Sequence, residues 1–282
     1  MRISRYPDEG YFPITVTNSS TQLTSTSLDN SINYTGATCI IRNNAFSMYA
    51  REVSSSGSQT INLTSAPVYP LKAGYGFWLT NKLDFLTTEG EWFYDNADNR
   101  LYFWTPNGDS PANYEVRVST VDYGVFISRQ DYITVKDLEI LHSATDGVKL
   151  ALRKYTTIDN CNILYPDLNG VGFTDYGCHY TTIKNCTIRG SNSKGISSFA
   201  HNVIITGNTI EETGQLANIN KEADGMIGVG IYSRYNNPVI EYNRIINSGY
   251  CGINFQGLNS IVRYNYVNGA CQVLDDGGGI YI

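Results

Sequence analysis

The amino-acid sequence predicts an all-β solenoid, a chain wound into stacked coils of about 22 residues, and three observations carry that prediction. Residues 132–140, 155–163 and 180–188 are near copies of one another, and looser copies follow at 202–210, 238–245 and 260–267. A glycine followed by Val or Ile recurs in phase with them, at Gly124, Gly147, Gly170, Gly195, Gly230, Gly252 and Gly279. The composition agrees: 282 residues hold 28 Asn, 26 Gly and 22 Tyr with only 16% charged residues, a profile foreign to helical arrays.

Taken in chain order, residues 1–120 read as an N-terminal β cap with the first irregular coils. Strands are expected over residues 36–53 and 60–63, and a hairpin over 90–104 closed by Asn96 to Asn99. A cap is expected because the end of a solenoid exposes strand edges that must be covered. Residues 121–282 read as the regular coils, anchored by Val135, Ile158, Ile183, Ile205, Ile240 and Val262 at steps of 23, 25, 22, 35 and 22. Helical repeats run longer, about 33 to 47 residues, and the leucine-rich frame is missing. Alternation at Val148/Leu150, Val171/Phe173 and Ile253/Phe255 turns one set of side chains inward, where equivalent residues stack about 4.8 Å apart. With the handedness that parallel crossovers obey, this is a right-handed parallel β-helix.

One inward ladder is expected to run through Leu138, Cys161, Cys186, Asn208, Asn243 and Asn265, with the asparagine amides bonding from coil to coil. Cys161 and Cys186 read as a buried thiol stack, with a disulfide as the alternative. Cys251 and Cys271 lie on adjacent coils at one edge, where a disulfide is again the alternative. Lys136, Asp159 and Lys184 occupy outward rungs and read as surface ion pairing. The chain stops inside a strand at Ile282, so further coils of the same chain are expected beyond it, and the charged first ten residues with Pro7 lack the apolar core of a secretory leader.

A net charge of −6 argues against a sequence-independent grip on nucleic acid, and no apolar run nears the roughly 18 residues of a membrane span. No CxxC pair suggests a zinc ribbon, and His142, His179 and His201 read as lying in different registers, so no metal site is expected.

Chemistry is expected where the coils lengthen. From anchor to glycine the distance is 12 residues in four coils, but 25 between Ile205 and Gly230 and 17 between Val262 and Gly279. Both insertions leave the same edge, two coils apart. The longer carries Glu211, Glu212, Lys221, Glu222 and Asp224, and the shorter carries Asp275 and Asp276. Two rungs separate their bases by about 10 Å. Carboxylates about 6.5–9.5 Å apart suit an inverting glycosidase and about 5–5.5 Å a retaining one, with one acid protonating the leaving oxygen. The candidate catalytic residues are therefore Asp275, Asp276, Asp224 and Glu222; alternatively, Asp275 and Asp276 cap a turn. Tyr250, Tyr232 and Tyr281 are candidates for stacking on sugar rings. Arg189 and Lys194 lie in one coil and support a second reading, a polysaccharide lyase with a basic residue as proton acceptor and calcium on the uronate. A non-catalytic glycan-binding or structural surface protein is the third.

The residues Gly230 to Tyr232, Ile240 to Ile245, Gly249 to Ile253 and Asp275 to Tyr281 resemble the pectin-lyase-like superfamily, and more narrowly the secreted bacterial right-handed β-helix proteins assigned to glycoside hydrolases. Gly36-Ala37, Gly90 to Asp95, Leu101 to Trp104 and Arg5 to Pro7 fit the same resemblance. It implies a poly- or oligosaccharide substrate and acidic catalysis near Asp275 and Asp276. A secreted monomer is expected, with no cofactor unless a lyase takes calcium.

Overall fold

The computed structural model describes residues 2–174, 177–216 and 227–282. They fall into two compact units, one ending at Val116 and the other beginning at Arg117.

The second unit is the solenoid. Three parallel sheets run along it, of seven, six and six strands. The first begins with Val125–Ser128, Val148–Ala151 and Asn169–Phe173, the second with Thr134–Lys136 and Thr157–Asp159, and the third with Glu139–Leu141 and Asn162–Leu164. Each coil contributes one strand to each sheet, and the anchors stack as the repeat predicts: Val135 on Ile158, Ile158 on Ile183, then Ile205, Ile240 and Val262. Pleating drives one set of side chains into a common core of Val148, Leu150, Ile158, Ile163, Val171, Ile183, Ile188 and their successors, most of them wholly buried.

The column of register glycines exists because that core leaves no room beside it. A Cβ on Gly170 would lie 2.6 Å from the Gly195 carbonyl oxygen, besides overlapping the Ile188 side chain. The corner between the second and third sheets is made by one residue per coil in the left-handed region: Asp137, Asn160, Asn185, Gly207, Tyr242 and Tyr264. Asn and Gly tolerate that backbone; tyrosine rarely does. Here Tyr242 and Tyr264 stack with ring centroids 5.0 Å apart, and at the preceding corner left-handed Tyr132, Tyr155 and Tyr180 stack at 4.8 and 5.0 Å. These tyrosines are corner residues rather than members of strands.

The asparagine ladder forms. Asn208 Nδ2 donates to Asn243 Oδ1 at 2.9 Å, Asn243 Nδ2 donates to Asn265 Oδ1 at 3.0 Å, and the amides of Cys186, Asn208 and Asn243 each donate to the asparagine one coil on. Cys161 and Cys186 continue it as buried free thiols. Leu138 holds the same register opposite Cys161 but is 44% exposed, because Thr134–Lys136 and Glu139–Leu141 are the end strands of their sheets and only one face of the residue is stacked. Asp159 pairs with Lys184 at 3.5 Å, whereas Lys136 turns to Asp137. The histidines also depart from expectation. His179 and His201 occupy one register, their rings 5.3 Å apart, since the longer connection after Phe173 restores the phase by His179.

The first unit is built differently. Its strands pair antiparallel in an eight-stranded sheet, apart from a small one in which Arg2–Ile3 runs parallel to Glu91–Asp95 and that strand pairs antiparallel with Arg100–Phe103. No coil forms there. The stretch expected as one strand over 36–53 is two, Thr38–Arg42 and Met48–Gly57, because Asn44 Oδ1 accepts the amides of Phe46 and Ser47 and turns the chain. Its core gathers Leu23, Cys39, Ile41, Val53, Ile61, Phe77, Leu79 and Phe85.

Candidate functional site

The corner from the third sheet to the first is where coil length changes most. It takes four residues between Arg189 and Lys194, and eleven, 269–279, between Tyr266–Asn268 and Ile280–Tyr281. The eleven-residue excursion is fastened to the coil beneath it. The amides of Val273 and Leu274 both donate to the Gly249 carbonyl at 2.8 Å, Gln272 donates to Ser248, and the Leu274 side chain is wholly buried. Asp275 and Asp276 follow, both exposed, and Asp276 adopts a left-handed φ of 57°. The Tyr250 hydroxyl donates to the Asp276 carbonyl at 2.9 Å, and Gly277 lies so close over the Tyr250 ring that a Cβ there would meet its Cε2 at 2.6 Å. The sequence-predicted acid pair is therefore presented to solvent on a segment held rigidly from below.

The predicted aromatic residues divide. Tyr250 is buried, and burial pushes its hydroxyl well above the usual tyrosine range, so it is a support and not a stacking platform. Tyr232 is also buried, its ring faced by the Lys194 ammonium at 5.7 Å and the Arg234 guanidinium at 5.9 Å. Tyr281 stays partly open, 6.3 Å from Tyr250. Lys194 is itself buried at the start of a first-sheet strand. Arg189 ends the preceding third-sheet strand and is engaged elsewhere: its Nε and an Nη each donate to Glu212 at 2.9 Å, which raises the guanidinium and lowers the carboxyl from their ordinary values. Glu222 and Asp224 lie outside the described residues.

Residues the sequence reading passed over, Asp146, Lys149, Asn169, Ser197 and Asn254, stand in the same rows as Lys194, Tyr232 and Tyr281, most of them buried. On the outward side of the first sheet, one position holds Lys149, Gly172, Ser197, Tyr232, Asn254 and Tyr281 in successive coils. Just before the register glycines stand Asp146, Asn169 and Lys194, so a row of polar groups runs along the sheet. Asp146 is wholly buried; its Oδ2 meets Lys149 Nζ at 2.5 Å and its Oδ1 accepts Asn169 Nδ2 at 2.7 Å. Gly172 makes the space, since a Cβ there would lie 2.6 Å from Asp146 Oδ2. At the same corner Asp167 accepts Asn192 Nδ2 at 2.9 Å, and burial lifts its carboxyl above the ordinary carboxylate value, the direction a general acid requires. The signal for this row was present: Asp146-Gly147, Asn169-Gly170 and Lys194-Gly195 place polar residues at one rung of the repeat. Among the described residues no group of three or more His, Cys, Asp or Glu converges as metal ligands would, and no helix is long and apolar enough to cross a membrane.

A family model described as the right handed beta helix region matches residues 123–282. Among solved structures, one described as a glycoside hydrolase superposes with a TM-score of 0.59 at 11% identity, over 97% of this chain and 76% of that one. A tailspike of Pseudomonas phage phi297 gives 0.30 at 14% identity, over 91% of this chain and 51% of that one. A tailspike of Acinetobacter baumannii bacteriophage AP22, in complex with capsular saccharide, gives 0.26 at 9% identity, over 90% and 41%. This chain thus spans about half or less of either tailspike. At these identities the first likeness is one of fold. No curated protein matches the sequence.

Proposed function

The chain belongs to the right-handed β-helix family, and from that premise we propose that it is a carbohydrate-active enzyme, a glycoside hydrolase that cleaves a poly- or oligosaccharide lying along the outward side of the first sheet. The observation that carries this reading is the 269–279 excursion: Tyr250 and the Gly249 carbonyl hold it, and it delivers Asp275 and Asp276 exposed beside a row of polar and aromatic side chains. Tyr281 offers an exposed ring in that row for a sugar to lie against, while Ser197, Tyr232 and Asn254 are buried and support it from within. Hydrolysis needs a carboxylic acid to protonate the leaving oxygen and a carboxylate to activate water or attack the sugar. Asp275 and Asp276 are assigned one of these roles, and Asp224 or Glu222 the other, since their segment leaves the same corner two coils earlier in the sequence. A secreted location follows from such a substrate.

A screen of the protein against a glycan panel tests the reading. Asp275→Asn or Asp276→Asn is expected to lower cleavage by about 100-fold or more with the β circular dichroism unchanged. Wild-type turnover in both variants would remove the pair from the mechanism. The lyase reading draws support from Lys194, buried against the Tyr232 ring. It prevails if products absorb in the ultraviolet as unsaturated uronates and Lys194→Ala abolishes them while the fold persists.

A further inference from the structure

The same excursion carries a feature independent of its carboxylates. Cys251 is buried beneath it, and Cys271, within it, is partly exposed. The Cys271 amide donates at 2.6 Å to the carbonyl of Tyr250, the peptide directly before Cys251. That contact sets the two residues side by side on adjacent coils, where strand separation of about 4.8 Å falls within the Cα spacing a disulfide spans, about 4.4–6.8 Å. Both residues adjoin one segment: a Cβ on Gly277 would lie 3.0 Å from the Cys271 sulfur, and the Gly278 carbonyl accepts the amide of Gly252, directly after Cys251, at 3.2 Å. We propose that Cys251 and Cys271 form a dithiol that closes to a disulfide, clasping the 269–279 excursion to the coil beneath it.

The other stacked pair does not compete. Cys161 and Cys186 sit inside the solenoid core, wholly buried, with their thiols donating to the Asp159 and Lys184 carbonyls at 3.4 and 3.1 Å, beyond the reach of any oxidant. Cys271 is open to attack. In the reaction its thiolate attacks oxidised glutathione and releases one glutathione thiolate. The Cys251 thiolate then displaces the second glutathione from the mixed disulfide. Two thiols lose two protons and two electrons; the oxidised glutathione takes both electrons and leaves as two reduced molecules. Burial pushes both thiols above their ordinary value, so the thiolate is scarce at neutral pH and closure accelerates as the pH rises.

The test is made on the purified, fully reduced chain incubated with oxidised glutathione, then alkylated and mapped by mass spectrometry. The expected product has lost the mass of two hydrogens, and the Cys251 and Cys271 peptides migrate as one linked species until reduced. Cys271→Ser abolishes the link and Cys161→Ser leaves it intact. Because the linkage is read directly in the wild-type chain, it stands apart from any activity and from the folding of the variants. Recovery of Cys251 and Cys271 as separately alkylated peptides, or a link formed instead between Cys161 and Cys186, overturns the proposal.

Discussion

At the scale of single residues, the inner asparagines do work that hydrophobic side chains cannot. Asn243 accepts the Asn208 amide and Asn208 Nδ2 through one oxygen and returns its own Nδ2 to Ile205, Glu241 and Asn265. Truncation to alanine strands several buried backbone groups at once. Asn243→Ala is therefore expected to destabilise by about 3 kcal/mol, read as a lower denaturant midpoint at unchanged slope. The histidine pair makes a pH prediction. His179 Nδ1 accepts the His201 amide, and His201 Nδ1 accepts that of Asn236. A protonated ring cannot accept, and burial first, then the charges of His201 and Lys154, lowers His179 below the free value of 6.5. The unfolded chain therefore takes up that proton at higher pH than the folded one. The stabilising contribution is present above 6.5 and is lost as the pH falls below it through the lowered folded value. His179→Gln should flatten the drop in melting temperature below that pH. These roles were unevenly legible. The asparagine ladder was visible because its members recur at one rung, whereas the histidine pair was hidden by a connection two residues longer than the one before it and three longer than the one after.

Among the elements, the glycine column and the corner excursion set the constraints. Gly170→Ala forces a methyl against the Gly195 carbonyl and the Ile188 side chain, neither of which can retreat, and is expected to cost about 3 kcal/mol or more. Gly57→Ala in the antiparallel unit meets nothing within 4 Å and should stay within about 0.5 kcal/mol; parallel thermal melts of the two variants distinguish them. Elements with periodicity could be read directly from the chain, since two registers in phase over seven coils leave little choice of pairing. The excursion's position was likewise readable from the altered spacing. Its effect on Tyr250 was not, because the ring's burial arises only when residues 272–274 bond back onto Ser248 and Gly249, a contact no local pattern encodes. The antiparallel pairing of the first unit was equally silent: without a repeat, strands such as Thr38–Arg42 carry no mark of their partners.

For the whole molecule, stability is the sum of coils and the interfaces between them. Ile183 and Ile205 anchor successive coils, so deleting residues 183–204 removes one complete turn and sets Ile205 on Ile158. That deletion is expected to keep the parallel-β circular dichroism and a cooperative melt at reduced temperature. Deleting 183–203 leaves one residue too many, turns Ile204 inward and Ile205 outward, and should yield an aggregating or unfolded chain; solubility and circular dichroism separate the two outcomes. Phase, more than length, is thus what this architecture protects. The corner between the third and first sheets is exempt from that protection, holding four residues at 190–193 and eleven at 269–279 while the strands on either side stay aligned. It is a natural socket: foreign peptide grafted at the exposed tip between Asp275 and Asp276 would alter what the molecule displays without disturbing how it winds, so surface novelty and structural inheritance can be edited separately.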